Sequence, residues 1–163
     1  MTDSANAGWR RPLTYIAYAI VPVIAALLLG QLATFSNLPW HATLVKPSFN
    51  PPNWVFGPVW TTLYALMAFS VWRIWRLAPS PARRTALILF YAQLALNVAW
   101  SWMFFAAHSP LLGLVNIAPQ FLLVLATVHT FRLLDPIAGW ALVPLAAWVG
   151  FAGVLNAAIW SLN

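Results

Sequence analysis

The 163-residue chain contains no cysteine and only two acidic residues, Asp3 and Asp135. The first absence excludes disulfides, thiolate metal sites and thioether-linked haem. The second excludes a carboxylate pair inside any apolar stretch, since one acid stands in the N-terminal tail and the other between two such stretches. No G-x-S-x-G, H-E-x-x-H or phosphate-cradling glycine loop occurs. Charge is scarce altogether: 6% of the residues are ionic, against about 25% in soluble domains. So few charges cannot cover a soluble surface, and 63% of the residues are hydrophobic, with a mean hydropathy of +0.80. Lipid is the expected solvent. The net charge of +6 comes from seven arginines and one lysine scattered over loops and helix ends. Such scatter reads as a topology signal, and no nucleic-acid partner is expected.

Five runs reach the roughly 20 apolar residues needed to cross a bilayer: 13–35, 54–75, 85–107, 110–133 and 137–162. At that depth every backbone group must be satisfied internally, so each run is expected to be a helix. The expected fold is an all-α integral membrane bundle of five transmembrane helices, one domain over 1–163, with no internal repeat. The first run lacks a small-residue cleavage site and is read as a retained span. Prolines and asparagines punctuate the connections, and only the first, about 36–53, is long. Short connections make sequential helices antiparallel neighbours. With five spans, Arg10, Arg11, Arg73, Arg76, Arg83, Arg84 and Arg132 share one side and Lys46 stands alone on the other. The bias predicts a cytoplasmic N-terminus, an outward 36–53 loop, and a bacterial inner membrane as location.

The 11 tryptophans divide by depth. Trp9, Trp40, Trp72, Trp75, Trp140 and Trp160 fall near helix ends, where amphipathic rings favour the headgroup zone. Trp54 fits either role. Trp60, Trp100, Trp102 and Trp148 lie deeper, where an indole N–H needs a partner. Helical spacing gathers several polar and aromatic residues onto shared faces. Trp60 and Tyr64 are one turn apart, as are Asn97 and Trp100, with Phe104 following; Trp148 and Ala152 repeat the pattern, continued by Leu155 or Asn156. Asn97, Asn116 and Asn156 are mid-membrane amides that need hydrogen bonds. Spacing alone leaves two readings open: glue for a packed core, or a pocket of flat rings and a few donors. His41, His108 and His129 sit on separate segments near helix ends, and no metal site is expected.

Three stretches carry a resemblance: KPSFNPPNWVFGPVWTTLYALM, QLALNVAWSWMFF and VPLAAWVGFAGVLN. In order and spacing they resemble the tryptophan-rich sensory protein/translocator protein (TspO/MBR) family, also called the peripheral-type benzodiazepine receptor family, over about 40–163. The resemblance implies a five-helix bundle, commonly a homodimer, with a pocket beneath the first loop that takes porphyrins and similar flat apolar ligands. It implies porphyrin or haem as ligand, not as a required cofactor. It places Trp60, Tyr64, Asn97, Trp100, Phe104, Trp148 and Ala152 in that pocket. The lid would be Lys46, Pro47, Phe49, Asn50, Pro51, Pro52 and Asn53, its prolines fixing φ so that little entropy is lost on closure.

The chain also departs from the family pattern. Phe49 replaces a loop tryptophan, Leu145 replaces a fifth-helix tyrosine, and weak basic–aromatic–aliphatic matches give no ground to expect sterol binding. Small-residue stripes at Ala95/Ala99, Ala146/Gly150 and Gly153/Ala157 are candidate dimer contacts. Pro22, Pro119 and Pro144 are expected to kink or unwind their spans. Three functions follow in order: a sensor or carrier of tetrapyrroles, a light-dependent porphyrin-degrading enzyme using Trp60 and Trp148, and a secondary transporter.

Overall fold

The computed structural model describes residues 7–163, with side chains from residue 13 onward. Asp3, Trp9, Arg10 and Arg11, read above as a tail acid, an interfacial ring and topology charges, lie outside the described side chains. The described residues form helices α1 (Ala7–Phe35), α2 (Leu38–Thr43), α3 (Asn53–Trp75), α4 (Pro81–Ser101), α5 (Pro110–Leu134), α6 (Pro136–Ala141) and α7 (Val143–Leu162). A π-helical turn, Trp102–Ala106, prolongs α4. Five spans are long and apolar enough to cross a membrane: Leu13–Phe35, Asn53–Trp75, Pro81–Ala106, Pro110–Leu134 and Pro136–Leu162. Large apolar side chains such as Leu28, Leu32, Val115, Leu122 and Val154 point outward, as a lipid solvent requires. The chain is an all-α, multi-pass integral membrane bundle.

Three boundaries differ from the sequence reading, each for a local reason. The third span begins at Pro81 rather than at 85, because the Ser80 hydroxyl accepts from the Arg83 N–H and Pro81 starts the helix. Arg83, read as a loop charge, is buried within the helix: its Nη1 donates to the Leu77 carbonyl at 2.6 Å and its guanidinium lies 4.9 Å from the Trp75 ring centroid. The long connection contains the short helix α2. The fifth span is interrupted at Leu142, with Pro144 in the first turn of α7; this is the unwinding anticipated there. Helix α1 runs on through Pro22. Proline there leaves the Tyr18 carbonyl without its usual partner, and the Tyr91 hydroxyl donates to it at 2.7 Å while accepting from Trp75 Nε1 at 2.8 Å.

Packing closes the spans into a ring: α1 on α3, α3 on α6, α6 and α7 on α5, α5 on α4, and α4 back on α1. Although α3 and α4 are consecutive, they touch little. The core between them is dense toward the arginine end, with Met67, Val71, Ile74, Phe90 and Phe131 fully buried. Arginines and tryptophans pair along that end: Arg76 lies over Trp72 at 4.7 Å and Arg132 over Trp140 at 4.2 Å.

Asp135 ties the same end together. Its carboxylate accepts from Arg73 Nε at 2.8 Å and caps α6 through the Ile137 and Ala138 N–H groups. Burial pushes this carboxyl up, but the Arg73 hydrogen bond, the two backbone donors and the Arg73 charge together hold it below the usual range. The α5–α6 corner closes over Gly139, where an added Cβ would sit 2.5 Å from the Arg132 amide nitrogen and 2.7 Å from its Cα. Backbone cannot move aside as a side chain can. Gly139→Ala is therefore expected to cost about 1–3 kcal/mol, seen as a fall of several degrees in the thermal midpoint of the detergent-solubilised protein. Gly57→Ala, where nothing lies within 4 Å, should leave the midpoint unchanged; equal effects of the two would contradict the packing described.

Candidate ligand-binding cavity

Away from the arginine end, the bundle opens into a cavity of about 400 Å³ bounded by α1, α3, α4, its π-turn and α7. That volume lies within the range of small-molecule sites, roughly 300–1,000 Å³. Helix α5 contributes nothing to the wall; it braces α4 and α7 from behind.

The seven pocket residues singled out in the sequence, Trp60, Tyr64, Asn97, Trp100, Phe104, Trp148 and Ala152, all lie on this wall. Each helix brings its contribution at one-turn spacing. Trp60 and Tyr64 lean together on α3, with ring centroids 5.8 Å apart. Trp100 and Phe104 stack at 5.1 Å with planes 20° apart, spanning the change from α-helix to π-turn. Trp148 packs edge-on against Phe56 across the gap between α7 and α3.

The mid-membrane amides resolve differently. The Tyr64 hydroxyl donates to Asn97 Oδ1 at 2.7 Å and closes the floor between α3 and α4. Trp100 Nε1 donates to Asn156 Oδ1 at 3.1 Å, and Asn156 Nδ2 donates to the Pro110 carbonyl at 2.7 Å. Asn116 is buried off the cavity wall, its Oδ1 without a partner among the described residues. Trp102, grouped above with the deep rings, is 43% exposed and off the wall; two residues beyond Trp100, it points about 200° away around the helix. Trp54, left open above, does line the cavity.

The proline-rich segment makes only part of the roof. Of the seven lid residues, Asn50 and Asn53 reach the wall, whereas Lys46, Pro47, Phe49, Pro51 and Pro52 do not. The short helix α2 supplies Leu38 and His41. Side chains latch this roof at both ends. Asn163 accepts from the Val45 N–H at 2.9 Å and donates to the Val45 carbonyl at 3.0 Å. His108, the one described non-glycine residue at positive φ (51°), stacks on Trp40 and hydrogen-bonds Asn37 at 3.0 Å. Lys46 Nζ donates to the His41 carbonyl at 2.8 Å.

Sequence reasoning missed the α1 side of the wall: Leu27, Gly30, Gln31, Thr34 and Phe35. Gly30-Gln31, a small and a polar residue inside an otherwise apolar run, was the available signal. His41 also lies on the wall. Burial first, and then the neighbouring Lys46 ammonium, hold its imidazole below its ordinary value, so it is neutral at pH 7. The wall carries no lysine, arginine, aspartate or glutamate. Such a lining suits a flat apolar body with a few polar edges. No cluster of three or more metal-ligating side chains occurs among the described residues.

Close packing behind the wall fixes its shape. A Cβ on Gly113 of α5 would lie 2.7 Å from Asn156 Oδ1 and 3.0 Å from the Phe104 ring. Gly113→Ala should therefore displace Asn156, weaken its bond to Trp100 and cost about 1–3 kcal/mol. The check is a lowered thermal midpoint accompanied by a shift in tryptophan emission; an unchanged spectrum would contradict the coupling.

The sequence profile of the TspO/MBR family matches residues 18–161. The chain is 38% identical over 138 residues to "Tryptophan-rich protein TspO" of Chlorobaculum tepidum, covering 80% of this chain and 85% of that protein. It is 35% identical over 158 residues to "Tryptophan-rich sensory protein" of Cereibacter sphaeroides, covering 97% and 94%. It is 33% identical over 153 residues to "Translocator protein" of Sus scrofa, covering 93% and 90%. Five apolar spans, a tryptophan-walled cavity and these likenesses agree: the chain belongs to the TspO/MBR family, with the membrane sensory or translocator role that its members' names describe.

Proposed function

We propose that this chain is a membrane receptor for tetrapyrroles such as porphyrins, and for similar flat apolar ligands, serving a sensing or carrier role. The observation that carries the reading is the convergence of Trp60, Trp100 and Trp148, from three helices, on one neutral cavity. Flat rings offer broad stacking area to a planar ligand, and stacked or edge-on aromatic contacts add about 0.5–1.5 kcal/mol each beyond burial. Tyr64, Asn97 and Phe104 form the floor and side of the site, Ala152 leaves room beside Trp148, and Asn50 and Asn53 cover it.

In this reading the N-terminus is cytoplasmic. The described arginines at the ends of α3 and α5 and the start of α4 gather at one end of the bundle, with Lys46 at the other, and basic loops stay inside. A homodimer belongs to the same proposal. Gly150 and Gly153 pack on Phe121 and Ile117 of α5, so the small residues of α7 are used within the chain. The Ala95/Ala99 stripe of α4, exposed to half-buried, is left for a second copy.

A second reading, light-driven oxidation of bound porphyrin by dioxygen, is favoured by one observation. The Trp60 and Trp148 indoles share the wall, and neither N–H has a partner among the described residues. Titrating the purified protein with protoporphyrin IX should give saturable quenching of tryptophan fluorescence. Trp148→Phe should weaken binding about fivefold, the loss of roughly 1 kcal/mol of stacking; absence of saturation would sink the receptor reading. Illuminating the complex in air separates the second reading. Porphyrin absorbance lost at the same rate with the Trp60→Phe/Trp148→Phe variant would eliminate it.

A further inference from the structure

Resting on the receptor reading, we infer that Lys46 is the carboxylate anchor of the site: the ligand is an amphiphile whose flat body enters the cavity and whose acid group stays at the rim on the Lys46 ammonium. The argument begins with what the wall excludes. No lysine, arginine, aspartate or glutamate lines the cavity, and a carboxylate taken into such surroundings exchanges its hydration for a few neutral donors with no cation to balance its charge. An acidic ligand must therefore keep its carboxylate at the mouth.

Lys46 itself is off the wall, but its ammonium is the described cation bonded to the roof, through the carbonyl of His41, which does line the cavity. Lys46 lies in the stretch between His41 and Asn50, both of which line the cavity. The described arginines stand at the opposite end of the bundle, where Arg73 pairs with Asp135. Lys46 has no acidic partner among the described residues. Its Nζ is oriented by the His41 carbonyl at 2.8 Å, with the Leu44 carbonyl at 3.5 Å. An ammonium has three N–H donors, so at least one is left for an incoming group. On the same roof the Asn50 Nδ2 is taken by the Pro51 carbonyl and the Asn163 amide by Val45. Lys46 is half-buried, so a pair formed there is less screened than one in open water.

The test compares a dicarboxylic porphyrin, protoporphyrin IX, with its uncharged dimethyl ester, using the full chain in a non-ionic detergent and tryptophan quenching as readout. The acid should bind about fivefold more tightly than the ester, as a partly exposed ion pair allows. That preference should shrink with added salt. Lys46→Gln should abolish the acid's preference over the ester, while Lys46→Arg should keep most of that preference. Equal binding of acid and ester by the unaltered protein overturns the inference and leaves the receptor reading standing. Equal weakening of both ligands by Lys46→Gln also overturns it, by assigning Lys46 to the roof's structure. Failure of both porphyrins to bind removes the receptor reading and this inference with it.

Discussion

The cavity depends on one node, where α4, α5 and α7 meet. Asn156 accepts from the Trp100 indole and donates to the Pro110 carbonyl, and Gly113 leaves the space that Asn156 and Phe104 fill. Inside a bilayer an amide of this kind has no water to fall back on, so its bonds are kept or the helices move. The node fixes the orientation of Trp100, and the Trp100 ring in turn stacks on Phe104. One buried asparagine thus sets the planes of two rings on the wall. The hollow persists because these rings are stiff and anchored, and because α5 braces α4 and α7 from outside the wall.

A division of labour along the membrane normal follows. Toward the arginine end the core is filled by Met67, Val71, Ile74, Phe90 and Phe131, and the rim is locked by arginine–tryptophan pairs and the Arg73–Asp135 bridge. Toward the Lys46 end the same helices bound the cavity, and it is covered by a roof held mostly by side chains gripping backbone. Regular hydrogen-bond ladders cannot deform in part, whereas a roof pinned by the Asn163–Val45 pair and the Lys46–His41 contact can be released one bond at a time. Stability is concentrated at one end and access at the other, as expected where binding regions come from the less stable parts of a fold.

The sequence disclosed the spans through their apolar runs, and it named the helix-borne pocket residues through the family resemblance, since spacing alone left packed core and pocket both open. Apolar runs of membrane length admit only helices, and one-turn spacing puts Trp60 with Tyr64, Asn97 with Trp100, and Trp148 with Ala152. The Asn156–Trp100–Pro110 node was not legible, since spacing within one helix says nothing of the angle between helices. Trp102 misled for a related reason. Depth along a span says nothing of the face a side chain takes, and two residues past Trp100 the helix turns Trp102 away from the cavity. The α1 wall stayed hidden because leucines and alanines on a lipid-facing helix look alike on both faces; only Gln31 broke the pattern. His41 was concealed by its loop, which reads as irregular chain and folds as α2.

The floor of the cavity bears on the choice between receptor and transporter. Below the Tyr64–Asn97 hydrogen bond, Met67 and Gln93 are fully buried, and Ser70, Val71 and Phe90 continue the seal with no exposure. A flat ligand passing through the bundle would have to displace these buried side chains along this length and strip the packing from every one of them. Loss of a single large core side chain's packing costs about 2–5 kcal/mol, so opening several layers together costs more than the stability of most domains, about 5–15 kcal/mol. No inverted repeat occurs in the described spans, and the arginines within them, Arg73, Arg83, Arg84 and Arg132, stand in the end turns, so no charge at mid-span lowers that barrier. Exchange at the roofed end requires only the release of a few hydrogen bonds. The physical asymmetry between a thin roof and a deep floor therefore favours a site that fills and empties from one side, which suits a sensor or a carrier that hands its ligand on within the same leaflet.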